Sequence, residues 1–596
     1  MSAGFYSRYE MGIGDKAMAF IANLSHYGIH WLGIGILLFL LSKALQNWPA
    51  AFRVMAGTLV TILLFILFVD LGIYRLYHYH INGLVLHVVL DGGLGDAVYL
   101  GNHTWIFGGI AAFLLAGTQV FYFMFLETRL GRIKILSSLR LKTWLACLTM
   151  VVVLSDKTLY GFDKLFNNTG YVRFTKAIPL YHPFSMKRFA TKWLSYLPDA
   201  GDAYKLPTAG TGLDYPPLAN ISRPTVKLPN IIIIIPDGWR HDMVDPKVTP
   251  YLYRFSRSCW RYLNHWSNGN ATEYGVFTML YGIPGTYWNP FYNERRGPAV
   301  VDLMRELGYQ FKIIGSASMS FQGFTKTAFV TINEAISDKL GGKMPFQRDL
   351  RQPEELFRFL DRDRDKRKPF FAFLYLNATH APYNYPDKFA KFQPTGGEIN
   401  FLTINESRKT ATMNQYKNAL YFLDDLSGKI IDGVKQRGLL DSTVIIVAGD
   451  HGEEFWESGY YGHTDAFTVQ QCHSALLVRW PGRNPRTITE ATQHFDIAYT
   501  IFEQLGNPEL GRRYTLGSSL INIHSPESWS ANGYHAGAVF TKDRIISFNL
   551  DDKKEMELVV RDYSYKPLPP ERQKEELRKS RKYLLKTLDD QQKFYR

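Results

Sequence analysis

The chain has 596 residues, 46% of them hydrophobic, and a net charge of +14. That length exceeds what one hydrophobic core supports, so at least two domains are expected. The basic excess suits an anionic partner, but no RNA- or DNA-binding motif accompanies it, which excludes nucleic acid and leaves lipid headgroups as the natural counterpart.

Four segments are apolar over about 20 residues, the length that a bilayer core requires. They are residues 27–45, 54–73, 105–126 and 141–159. The first is too long for a cleavable signal and lacks a small-residue cleavage site. Basic residues set the expected direction. Arg129, Arg132, Lys134, Arg140 and Lys142 crowd the third loop, and Lys43 and Arg53 flank the first. The second loop, with Arg75, Asp91 and Asp96, has no such excess. The first and third loops are therefore expected in the cytoplasm, with the N-terminus and everything after residue 162 outside. Asp70, Asp156 and Lys157 fall near outer span ends and read as interfacial residues that reach water.

Residues 1–162 are thus expected to form a transmembrane domain and 163–228 a basic juxtamembrane connector. In the connector, Arg173, Lys176, Lys187 and Arg188 interleave with aromatic residues, a pattern suited to the headgroup layer. The Pro- and Gly-rich residues 206–229 read as linker. An extracytoplasmic domain is expected over 229–560 and a charged surface tail over 561–596. Cys147, Cys259 and Cys472 are too scattered for a disulfide framework and read as three buried thiols.

From residue 230 onward, strand-like runs alternate with helical ones. The strands are read at 231–235, 311–315, 369–376, 444–448 and 475–480, with a helix at 414–426. This pattern indicates an α/β domain with a mostly parallel central sheet. Two runs end abruptly in metal-ligand chemistry, at Asp237-Gly238 and at Asp450-His451-Gly452. Ligands in such sheets bind beyond the carboxyl ends of the strands. One Asp-Gly pair alone reads as a turn; two such strand ends point to a metal site.

A third element is Asn268-Gly-Asn270-Ala-Thr272-Glu-Tyr-Gly275, a polar turn before an apolar helix. Thr272 then sits at a helix N-terminus, where unpaired N–H groups favour anions. Alone it reads as a cap; beside Asp237, Asp450 and His451 it reads as a nucleophile that a bound cation activates. His380 and His463 each follow a strand and read as substrate-contacting or second-metal residues. The Asn-x-Thr sequons at Asn270 and Asn377 read as coincidence, because a glycan there would block the site.

Pro236-Asp237-Gly238, Asn377-Ala-Thr-His380-Ala-Pro and Gly449-Asp450-His451-Gly452-Glu453 resemble the signature segments of the alkaline phosphatase/sulfatase superfamily. The sulfatase Cys-x-Pro-x-Arg signature is absent, and Thr272 stands at the nucleophile position, as in the lipoteichoic acid synthase and phosphoethanolamine transferase branches. Val69-Asp70, the aromatic-histidine stretch after it and residues 171–189 resemble the PbgA/YejM-type inner-membrane sulfatase-like proteins of Gram-negative bacteria. That family has five spans, whereas four are read here, and its Asp-His motif is degraded in some members but intact in this chain.

The resemblance implies a bacterial inner-membrane protein with its C-terminal domain in the periplasm. It implies that Arg173, Lys176, Lys187 and Arg188 contact lipid A phosphates of lipopolysaccharide. The expected site holds one divalent metal ion (Mg, Mn or Zn) on Asp237, Thr272, Asp450 and His451, with a second ion left open. Thr272 is the expected nucleophile, and His380 and His463 assist the transferred or leaving group. The function expected is hydrolysis or transfer of phosphate or sulfate esters of lipids, linked to lipopolysaccharide homeostasis. The alternative is a non-catalytic lipopolysaccharide sensor that also binds a partner membrane protein.

Overall fold

The computed structural model describes residues 2–6, 11–77, 79–81, 85, 102–129, 139–165, 171–184, 186, 212–224, 227–397, 399, 404–550 and 558–596. The chain divides into two compact units, the first built on the N-terminal helices and the second mainly on residues 204–399 and 404–596.

In the first unit, the helices are α1 (Ile13–Ala44), α2 (Pro49–Tyr77), α3 (Asn102–Arg129) and α4 (Leu139–Leu165). Each contains a stretch long and apolar enough to cross a membrane. Their large apolar side chains face outward, Phe113 being 76% and Trp144 75% exposed, as in a bundle that lipid surrounds. The polar groups turn inward, which corrects the interfacial reading of Asp70 and Asp156: both are buried. Asp156 accepts from Ser25 Oγ at 2.7 Å, Tyr171 OH at 2.8 Å and Tyr181 OH at 2.7 Å, and Lys157 Nζ lies 3.0 Å away. Asp70 accepts from the Ile81 amide at 2.6 Å and pairs with His80 Nδ1 at 2.7 Å. A carboxylate inside an apolar bundle is costly unless so satisfied. Cys147 on α4 is exposed, not buried as expected, because it lies on an outward face; Cys259 and Cys472 are buried.

After α4 the chain makes a short helix, Val172–Thr175, with Tyr171 and Phe174 buried in the same unit. Of the predicted lipid-contacting cations, Arg173 lies on this turn and Lys176 is exposed just beyond it. Lys187 and Arg188 lie outside the described residues. Residues 212–224 belong to the second unit and are no free linker. Leu213 and Tyr215 are buried in its core, and Leu213 forms a β-bridge with Tyr595. The chain's last residues return to the same core through Phe594, after the helices Pro570–Lys579 and Arg581–Asp590, so the expected surface tail is tied down.

The second unit is organised around an eight-stranded sheet. In chain order its strands are β1 (Asn230–Pro236), β2 (Trp260–Tyr262), β3 (Gln310–Gly315), β4 (Ile336–Ser337), β5 (Phe370–Leu376), β6 (Thr443–Ala448), β7 (Leu476–Arg479) and β8 (Arg486–Ile488). The spatial order is β8-β2-β7-β6-β1-β5-β3-β4. All pairings are parallel except those of β7, which runs antiparallel to both β6 and β2. Strand β1 is central, between β5 and β6, and all seven of its residues are buried. Covering both faces of this strand rewards a run of isoleucines, each worth about 1.5–3 kcal/mol when buried. Helix α5 (Thr272–Tyr281) packs against α7 (His494–Gln504), while α6 (Lys409–Gln436) contacts β1. A separate antiparallel sheet has four strands, β9 (Ser528–Asn532), β10 (Ala536–Thr541), β11 (Ile545–Asn549) and β12 (Leu558–Arg561).

Candidate active site

Because β1 lies between β5 and β6 in parallel register, the carboxyl ends of the three strands are side by side. Asp237 follows β1, Asp450-His451 follows β6, and α5 brings Thr272 to the same place as its first residue. All four side chains are buried. His451 Nε2 is 3.3 Å from Thr272 Oγ1, 3.4 Å from Asp237 Oδ1 and 3.6 Å from Asp450 Oδ2. His451 Nδ1–H donates to the Gly452 carbonyl at 2.8 Å, which leaves Nε2 as the acceptor facing the others. The phenol of Tyr375, from β5, lies 3.3 Å from Thr272 Oγ1.

The donor set fits a divalent cation. Asp450 Oδ1 accepts from the amides of Gly238 at 2.9 Å and His451 at 3.0 Å, but its Oδ2 has no partner. Asp237 Oδ2 is likewise buried and unpartnered. Burial, and then the neighbouring Asp450 charge, push the Asp237 carboxyl well above the usual carboxylate range. Burial alone would lower the His451 imidazole, but Asp450 and Asp237 outweigh it and hold it above its ordinary value. Ligand atoms of Asp237, Asp450 and His451 lie within 4.8 Å of one another. Two orphaned carboxylate oxygens, an imidazole nitrogen and a hydroxyl suit Mg²⁺, Mn²⁺ or Zn²⁺.

His380 and His463 stand at the edge of this cluster. The His463 ring is 4.2 Å from that of His451 and 5.5 Å from that of His380. Asn270 and Asn377 are buried, so neither sequon is open to a glycan. Thr379 Oγ1 donates to the Asp237 carbonyl at 2.6 Å, tying the loop after β5 to the loop after β1.

Sequence reasoning passed over three groups here. Arg240 pairs with Asp242 at 2.7 Å and Glu457 at 2.6 Å and donates to the Glu453 carbonyl at 3.0 Å, pinning the loop after β6 to the loop after β1. Tyr375 reads in the sequence only as strand core. Glu453 accepts from His463 Nδ1 and from Tyr383 OH, each at 2.7 Å. Burial would raise the Glu453 carboxyl, but the His463 and Tyr383 contacts outweigh it and hold it below its usual range. The one available signal was Glu453's place directly after Asp-His-Gly.

The Sulfatase family matches residues 229–507, and the domain of unknown function DUF3413 matches residues 11–198. An uncharacterized protein of Haemophilus influenzae is 20% identical over 565 residues, 92% of this chain and 87% of its own length. Inner membrane protein YejM of Salmonella typhimurium is 21% identical over 303 residues, 50% of this chain and 46% of its own, so the match spans about half of each. Phosphoethanolamine transferase EptA of Escherichia coli is 33% identical over 93 residues, 15% of this chain and 16% of its own. The second unit has the alkaline phosphatase/sulfatase fold, with a cluster of metal-ligating side chains at the carboxyl ends of its central strands.

Proposed function

We propose that the chain is a membrane-anchored, metal-dependent enzyme that hydrolyses or transfers phosphate or sulfate esters of lipids at the periplasmic face of a bacterial inner membrane. The observation that carries this reading is the pair of buried, unpartnered oxygens, Asp237 Oδ2 and Asp450 Oδ2, beside Thr272 Oγ1 and His451 Nε2. Asp237, Asp450, His451 and Thr272 Oγ1 would hold the cation, whose charge favours the ionised hydroxyl and polarises the ester. Thr272 attacks phosphorus or sulfur from the first turn of α5, where helix N–H groups without intrahelical partners receive the anion. The Thr272 oxygen bond forms as the ester oxygen leaves, and His463 or His380 supplies a proton or hydrogen bond to that oxygen. Water or a lipid acceptor then displaces Thr272 from the covalent intermediate. The short likeness to EptA supports phosphate esters beside the sulfate esters that the Sulfatase match supports. The cations after α4 are proposed to hold anionic lipid, lipid A phosphates first, which would connect the enzyme to lipopolysaccharide homeostasis.

The test is turnover of 4-nitrophenyl phosphate and 4-nitrophenyl sulfate by the full chain. Thr272→Ala is expected to abolish it with metal content largely retained, and Thr272→Ser to keep a fraction. Full activity in the alanine variant would mean that another group attacks. No turnover by the native protein on any ester would favour the lipopolysaccharide-binding regulator.

A further inference from the structure

Two groups of candidate metal ligands share His451, and they differ in one respect. Asp237 and Asp450 each keep a buried oxygen without a donor, whereas Glu453, in the group His451, Glu453 and His463, keeps none. One Glu453 oxygen accepts from Tyr383 OH at 2.7 Å and the other from His463 Nδ1 at 2.7 Å. These are hydrogen-bond lengths with N–H and O–H donors in place, and Glu453 is only 2% exposed. The second group is already satisfied without an ion.

We propose that Glu453 is a positioning residue that fixes the ring of His463, and is not a metal ligand. The nitrogen of a histidine that faces a site is set by the hydrogen bond the other one makes. With Nδ1–H committed to Glu453, Nε2 is the nitrogen left to face the site, where it bonds an oxyanion as a donor when it too carries a proton. The surrounding backbone is shaped for this pair. Gly238 has φ of 61°, and a Cβ there would sit 3.4 Å from Glu453 Oε2 and 3.8 Å from His451 Cε1. Glycine at 238 is thus called for by its left-handed backbone, which turns the chain after β1 at contact distance from Glu453 and His451. Tyr383 and Thr464, the latter next to His463, hold φ of 60° and 87°, uncommon for side-chain-bearing residues. Such conformations persist where surrounding contacts over-determine them, and here one is at a partner of Glu453 and the other is next to its second partner.

What His463 does in turnover rests on the proposed function; its orientation by Glu453 does not. The experiment uses full-length protein loaded with zinc. Metal content is measured for native, Glu453→Ala, Glu453→Gln and Asp450→Ala proteins. Inorganic phosphate is then titrated calorimetrically into native, Glu453→Ala, His463→Ala and doubly substituted protein. The Glu453 variants are expected to keep native zinc content while Asp450→Ala loses it. Glu453→Ala and His463→Ala should each weaken phosphate binding about tenfold, the lower end for loss of an orienting partner. The double variant should bind no more weakly than His463→Ala alone, because both changes remove one function. Glu453→Gln, which keeps an acceptor oxygen, should recover most of the affinity. Zinc loss in Glu453→Ala matching that of Asp450→Ala, or additive losses in the cycle, overturns the proposal. A crystal structure of Glu453→Ala decides it independently of any binding or turnover: a displaced His463 ring supports positioning, and an unmoved ring refutes it. Native protein that binds phosphate yet cleaves no ester would count against the proposed function alone.

Discussion

Asp237 and Asp450 place two carboxylates in one buried pocket, and their unpartnered oxygens call for a cation. Without metal, the folded protein favours a proton on Asp237, raised from 3.8 to about 7, while the unfolded chain has already lost it over that interval. The folded state therefore binds more protons across the window, so metal-free stability falls as pH rises through it. Bound metal reverses the sign, because protons then compete with the ion. Thermal unfolding of chelated protein between about pH 5 and about pH 8 should show native protein losing several degrees more than Asp237→Asn. Equal pH slopes would mean that Asp237 carries no such burden. The four clustered residues were legible in the sequence because each closes an apolar run or opens a helix. Glu453, Tyr375 and Arg240 were not, since their partners, at Tyr383, Thr272 and Glu457, meet them only through the sheet's strand order.

At the scale of elements, the site depends on how closely α5 approaches the end of β6. A Cβ on Gly275 would lie 2.3 Å from the Asp450 carbonyl oxygen, so the helix seats directly on the backbone of a candidate ligand. His494, from α7, lies 3.2 Å from the Gly275 carbonyl and 3.1 Å from that of Gly449, stitching the two pieces together. Gly275→Ala must push backbone against backbone, which should cost about 1–3 kcal/mol of stability. It should also weaken metal binding, because the clash displaces Asp450 from Asp237 and His451. Thermal unfolding together with zinc titration checks this; native zinc affinity in the variant would show that the seating of α5 on Asp450 does not matter to the ion. The long apolar runs β1, β5 and β6 were readable as buried strands from composition alone. Strands β2 and β8 are only three residues each, and the β9–β12 sheet has no comparable apolar run, so local pattern did not reveal them. Helix α6 extends beyond the predicted 414–426 to Lys409–Gln436 because its added turns still bury one face, at Thr412, Ile430, Ile431 and Val434.

For the molecule as a whole, the anionic-lipid contact proposed above would fall on the segment that leaves α4. That segment is held by Tyr171 and Tyr181 on the buried Asp156, so the backbone at Arg173 and Lys176 has a defined mount. Arg173 lies on the short helix there and Lys176 is exposed next to it, with Lys187 and Arg188 following in sequence. Each cation near an anionic surface contributes on the order of 1 kcal/mol. Replacing all four by Ser should cost about 4 kcal/mol if they act independently, roughly a thousandfold in affinity. The loss should shrink at high salt, where screening has already weakened the native contacts. Retention of lipid A by purified native and substituted protein, measured by mass spectrometry across a salt series, checks the expectation. Turnover of a soluble aryl ester serves as the control. Unchanged lipid retention would remove these residues from lipid binding. Lost lipid with retained turnover would show that the anchor and the chemistry are separable properties of the chain.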